Sequence, residues 1–118
     1  MRRKPATIVV LEENAAAQEL IDQTLRQSGD RVLISNSPVE ALVLANRVRI
    51  DLIVGDAGLL EGSDPHVVEQ LHLVGQVLYT HARESSRLAQ LESGTALPSP
   101  FSLDELSEAV AAALHRHR

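Results

Sequence analysis

The sequence predicts an α/β fold in which a parallel sheet of five strands lies between two layers of helices. Three observations predict it. Short runs rich in Val, Ile and Leu recur along the chain, and runs that are apolar on both faces suit strands covered on both sides. Helical patterns with start and stop signals separate these runs. The connections are short, and right-handed crossovers between such strands give a parallel sheet with helices on both faces.

The elements follow in order. Thr7-Ile8-Val9-Val10-Leu11 is the first strand. Asn14 caps a helix in which Ala17, Leu20, Ile21 and Leu25 share a face, and Gly29 stops it. Arg31 to Ser35 is the second strand. Ser37-Pro38-Val39-Glu40 is a helix start, with a capping Ser, Pro at the first helical position and Glu three residues after the cap. Ala41, Leu42, Leu44, Ala45 and Val48 continue that helix. Leu52-Ile53-Val54-Gly55 is a third buried strand ending at Asp56, where Gly55 marks either a close approach of another element or a tolerated small residue. Asp64-Pro65 opens a third helix with Val67, Val68, Leu71 and Val74 inward, and Gln76 to Thr80 is the fourth strand. A fourth helix runs from about Glu84 to Glu92, and a short fifth strand lies around Thr95 to Pro98. Pro98 removes a ladder donor, so this strand belongs at an edge or ends there. Ser102-Leu103-Asp104-Glu105 is a second capping box, opening a last helix with one face lined by Leu103, Leu106, Ala109, Val110, Ala113 and Leu114.

The 118 residues suit one domain spanning 1–118, with a core from about 6 to 114 and a tail, 115–118, expected to fray. Phe101 and Tyr79 are the aromatics, so the core is aliphatic. A net charge of -5 argues against a nucleic-acid surface, which needs a basic stripe. The absence of Cys excludes disulfides, thiolate metal sites and Cys nucleophiles. The apolar run from Ala6 to Leu11 is shorter than a signal peptide requires, and no stretch approaches the ~20 apolar residues of a membrane span. A cytoplasmic location is therefore expected, with no membrane partner.

The chemistry is carried by strand ends. In open parallel sheets the site lies beyond the carboxyl ends of the strands. The first strand ends in Glu12 and Glu13, the third in Asp56 and the fourth in Thr80. Carboxylates converging there raise one another's cost of ionising unless a cation sits among them. Oxygen ligands favour a hard ion such as Mg²⁺. Blander readings stand beside these. Glu12 and Glu13 alone would be solvated strand-end residues, Asp56 would cap a turn before Gly58, and Thr80 would satisfy local backbone groups. The position of Asp56 at the end of a buried strand, opposite the acidic pair, favours the pocket. Tyr79 is expected on the other side of its strand from Thr80, in the core. The histidines His66, His72, His81, His115 and His117 lack ligand spacing on a common face and read as surface or tail residues. His81 is the exception to watch, because it lies beside the acidic edge.

Four segments in order resemble the receiver domains of two-component response regulators. Ile8-Val9-Val10-Leu11-Glu12-Glu13-Asn14 resembles the family's first strand and acidic pair. Asp51-Leu52-Ile53-Val54-Gly55-Asp56 resembles the strand that ends in its phosphoacceptor. Thr80-His81-Ala82 is similar to the Thr/Ser-Ala step, and Pro100-Phe101-Ser102-Leu103 to the ending that leads into the last helix. The resemblance implies a three-layer (βα)5 flavodoxin-like fold with strand order 2-1-3-4-5. It implies Asp56 as the phosphoacceptor, Mg²⁺ held by Glu12, Glu13 and Asp56, and the Thr80 hydroxyl donating to a phosphoryl oxygen. A histidine kinase or phosphotransfer protein would supply the phosphoryl group. A downstream protein would receive the signal, and the fourth helix, fifth strand and last helix would form a partner or homodimer surface. Such activity is that of a phosphoacceptor with autophosphatase character, not of a metabolic enzyme.

The sequence departs from the family at several points. Ser99 stands where the family has a lysine, and a neutral hydrogen bond is roughly half as strong as a charge-assisted one. The acidic pair is Glu-Glu, Gly58-Leu59-Leu60 replaces the usual Met-Pro, and Ala96 and Leu97 occupy the region of the aromatic switch residue. Two functions therefore stand against each other: a Mg²⁺-dependent phosphoacceptor receiver, and a degenerate receiver serving as a phosphorylation-independent protein-interaction module. A metal-assisted hydrolase is a third and poorer fit, since no general acid has a specific spacing.

Overall fold

The computed structural model describes residues 4–82, 94–98 and 100–116. Its elements are β1 (Thr7–Leu11), α1 (Ala15–Gln27), β2 (Arg31–Ser35), α2 (Pro38–Ala45), β3 (Leu52–Asp56), α3 (Ala57–Glu61), α4 (Pro65–Val74), β4 (Gln76–Ala82), β5 (Gly94–Pro98) and α5 (Leu103–Arg116). The strands form one parallel sheet in the order β2-β1-β3-β4-β5. This is the receiver, or flavodoxin-like, α/β fold expected from the sequence.

Helix starts follow the sequence signals. Asn14 Oδ1 accepts the Ala17 N–H at 2.9 Å, and Ser37 Oγ accepts the Glu40 N–H at 3.1 Å. The box before α5 is reciprocal: Ser102 Oγ accepts from Glu105 N at 3.0 Å, and Glu105 Oε1 accepts from Ser102 N at 3.1 Å. Gly29, just past α1, has φ +93, a region that disfavours residues with a Cβ. The third predicted helix is α4, and ahead of it lies a five-residue helix, α3, that the apolar pattern does not announce. Helix α2 closes at Ala45, so Val48 lies beyond it and is exposed. The predicted helix from Glu84 to Glu92 lies outside the described residues.

Strand alternation divides the core. Ile8, Val10, Leu52, Val54 and Leu78 face α1 and α5, packing on Ile21, Leu25, Leu106 and Val110. Val9, Leu11, Ile53, Val77 and Tyr79 face α2, α3 and α4, packing on Ala41, Leu60, Val68 and Leu71. Because both faces are covered, every β1 residue from Ile8 to Leu11 is fully buried, which explains runs that are apolar throughout. At the amino edge of the sheet, Asp30 Oδ1 accepts the Ala6 N–H at 3.0 Å and Asp51 Oδ2 the Thr7 N–H at 2.9 Å, which fixes the start of β1. Gly55 is explained by close approach: a Cβ there would stand 2.8 Å from Leu60 Cδ1, so α3 lies directly on β3.

Candidate functional site

The carboxyl edge of the sheet gathers the predicted polar residues. Glu12 directly follows β1, Asp56 ends β3, and Asp56 is the register partner of Thr80 on β4. Paired residues of adjacent strands point to the same face, so Asp56 and Thr80 sit side by side. Thr80 is buried, and so is Glu12, at 5% exposure. A cleft of about 380 Å³ opens there, lined by Glu12, Glu13, Asn14, Asp56, Gly58 and Leu59.

Each carboxylate is held by one oxygen. Glu12 Oε2 accepts the Asn14 N–H at 3.1 Å, at the turn where β1 passes into α1. Gln18 Nε2 donates to the Glu12 carbonyl at 3.1 Å and braces the same turn. Asp56 Oδ1 accepts the Leu59 N–H at 3.1 Å and so caps α3. The cap and pocket readings of Asp56 therefore hold together, because a carboxylate has two oxygens. The other oxygen of Glu12, Oε1, is shielded from water and makes no hydrogen bond among the described residues. A buried acceptor without a hydrogen bond is costly, and an ionised one more so.

One neighbour of Glu12 Oε1 is His81 Nε2, 3.5 Å away. His81 sits in an irregularity of the β4–β5 pairing between Thr80 and Ala82, with φ +55. Bulges re-aim side chains. The ring also packs against Phe101, with centroids 5.1 Å apart. Glu12, Asp56 and His81 each bring one donor atom into a group spanning no more than 4.8 Å.

The resemblance implies Glu12, Glu13 and Asp56 as ligands, whereas the donor atoms grouped here are those of Glu12, Asp56 and His81. Glu13 lines the cleft but is exposed, and it is not part of that group. Glu12 is buried and Glu13 is exposed at the bend after β1, so only one of the two glutamates turns inward. His81 takes the third place. Its proximity to the acidic edge is legible in the sequence, but its aim depends on a positive φ that a histidine does not announce. Ser99 lies outside the described residues.

On the opposite face, Tyr79 is fully buried, as its alternation with Thr80 predicts, and its hydroxyl is bonded to His72 Nε2 of α4. Burial lowers the His72 pKa below its ordinary value and raises that of Tyr79 above its own. Both shifts favour neutral forms, so the contact joins two uncharged partners. His66, by contrast, is exposed beside Glu69 on α4.

Comparisons with known proteins agree with this fold. No family model matches the chain. The response regulator MprA of Mycobacterium leprae is 33% identical over 116 residues, which cover 92% of this chain and 51% of that protein. The chain spans about half the length of the curated relatives it matches. Among solved structures, a two-component response regulator from Clostridium difficile superposes with a TM-score of 0.78 at 23% identity, covering 96% of this chain and 98% of that one. The receiver domain of a sensor histidine kinase from Pseudomonas aeruginosa, which has a magnesium ion coordinated in its active-site cleft, gives a TM-score of 0.74 at 23% identity over 95% of this chain and 99% of that one. At these identities the structural likeness establishes the fold, while the sequence similarity extends over nearly the whole chain and spans the acidic edge. The chain therefore belongs to the response-regulator receiver family of two-component signalling.

Proposed function

We propose that the chain is a phosphoacceptor receiver in which Asp56 takes a phosphoryl group from a phosphohistidine. The observation that carries this reading is the buried Oε1 of Glu12, without a hydrogen bond among the described residues and grouped with Asp56 at the end of the central strands. Such an atom fits a divalent cation. Glu12 and Asp56 would hold Mg²⁺, with Glu13 at the rim of the cleft. The magnesium in the Pseudomonas receiver supports this assignment. When bound, the ion would offset negative charge on the transferring phosphoryl group.

The roles of the chain's own residues follow from their positions. An Asp56 oxygen attacks phosphorus as the bond from phosphorus to the donor's imidazole nitrogen breaks. The products are an acyl phosphate and a free imidazole. Thr80, paired with Asp56 in register, donates its hydroxyl to a phosphoryl oxygen. The donor would be a histidine kinase or phosphotransfer protein, and the signal would pass by protein contact.

The test is to incubate the full chain with Mg²⁺ and a small phosphodonor such as acetyl phosphate and weigh it intact. A gain of one phosphoryl group that vanishes in Asp56→Asn is expected. No gain, or a gain that survives the substitution, would overturn the reading. A second reading, an interaction module independent of phosphorylation, is favoured by one fact. Ser99 supplies no cation at the family's lysine position, and the chain's single lysine, Lys4, precedes β1 at the opposite edge of the sheet. That reading predicts no mass gain but retained partner binding by Asp56→Asn.

A further inference from the structure

We infer that His81 makes the Glu12–Asp56 cluster a mixed nitrogen–oxygen site that takes a first-row transition-metal dication in preference to Mg²⁺. This rests on the reading of the cluster as a cation site and goes beyond it in naming the class of cation and the residue that selects it. Three features of the site support it. First, the donors are two carboxylates and an imidazole, each contributing one atom to a group no wider than 4.8 Å. Imidazole suits zinc, copper, iron, cobalt and nickel, whereas magnesium prefers oxygen and water.

Second, the spacing is already that of a coordinated pair. His81 Nε2 and Glu12 Oε1 are 3.5 Å apart. Two ligands at ~2.1 Å from a tetrahedral ion stand roughly 3.4 Å apart. The same oxygen is buried and makes no hydrogen bond among the described residues, so a ligand position there stands open.

Third, the imidazole is held in place from two sides. Its backbone occupies φ +55, where a non-glycine residue is uncommon, and its ring rests on Phe101. A side chain whose direction is set in advance loses less freedom on binding. These features bear on cation choice and leave the assignment of Asp56 as phosphoacceptor to its own experiment.

The test is calorimetric titration of the full chain with MgCl₂ and, separately, CoCl₂, using wild type and His81→Gly. Glycine accepts the positive φ without strain, and His81→Asn serves as a second variant for the same backbone region. Wild type is expected to bind Co²⁺ at least tenfold more tightly than Mg²⁺. Both variants are expected to lose at least tenfold in Co²⁺ affinity while Mg²⁺ affinity changes less than twofold. In the Co²⁺-loaded protein, a hyperfine-shifted exchangeable imidazole proton should be seen in wild type and His66→Gln but not in His81→Gly. Mg²⁺ binding with no Co²⁺ preference, or Co²⁺ binding indifferent to His81, overturns the inference and leaves the cation site standing. Binding of neither ion overturns both.

Discussion

Glu12→Gln is expected to stabilise the metal-free protein and to remove most of its response to divalent cations. The replacement has nearly the same shape and retains an oxygen for the Asn14 N–H that Glu12 Oε2 accepts at 3.1 Å. What it removes is negative charge on Oε1, an atom shielded from water and without a hydrogen bond among the described residues. Leaving a buried acceptor unsatisfied costs about 1–3 kcal/mol. A second carboxylate, Asp56, in the same 4.8 Å group adds repulsion to that cost. A gain of about 1–3 kcal/mol corresponds to roughly 4–12 °C in melting temperature for a domain of this size.

Cation binding works the other way. An ion that binds only the folded state adds about 2.7 kcal/mol at one hundred times its dissociation constant, so wild type should overtake the variant as MgCl₂ is raised. Urea and thermal melts followed by circular dichroism, in chelator and across a MgCl₂ series, read both effects. A variant less stable than wild type in chelator would refute the argument, since the protein itself would then be compensating the Oε1 charge. Parallel responses to MgCl₂ would show that the cation does not use Glu12.

Gly55→Ala should cost about 1–3 kcal/mol, because its Cβ meets Leu60 Cδ1 at 2.8 Å and Leu60 is too buried to swing aside. In a Leu60→Ala background the same change should cost clearly less, and equal costs in urea melts would disprove the contact. The pH profile of stability should fall at both ends. Because His72 has a lowered pKa in the folded chain, the unfolded chain takes up a proton that the folded chain resists, and stability drops as pH falls below about 6.5. Because Tyr79 has a raised pKa, the unfolded chain releases a proton that the folded chain keeps, and stability drops as pH rises above about 10. His72→Gln should flatten the acid limb and Tyr79→Phe the alkaline one, as urea melts across the two ranges would show. An unchanged slope in either variant contradicts the corresponding assignment.

Much of this was legible in the chain itself, for physical reasons. The strands are readable because burial on two faces demands continuous apolar runs such as Ile8 to Leu11. Caps such as Ser37 and Ser102 are readable because orphan N–H groups demand an acceptor at a fixed offset. Helix α3 escaped because five residues cannot show a helical period, although Asp56 supplies its capping signal. The site was half legible. Asp56, Thr80 and Glu12 follow from strand ends and alternation. The outward turn of Glu13 depends on backbone angles just beyond β1 and the inward aim of His81 on a positive φ within β4, neither of which a side-chain pattern encodes.

The cap on α3 has a consequence for Asp56 itself. In solution the two oxygens of a carboxylate are equivalent and exchange by rotation. Here the Leu59 N–H holds Oδ1 at 3.1 Å and breaks that symmetry. Rotation that exchanged the oxygens would have to break the cap, so the side chain presents one oxygen as a fixture of the helix and the other as a reagent. If Asp56 is phosphorylated, the new oxygen–phosphorus bond should form on Oδ2, because one backbone N–H already holds Oδ1 before any partner arrives.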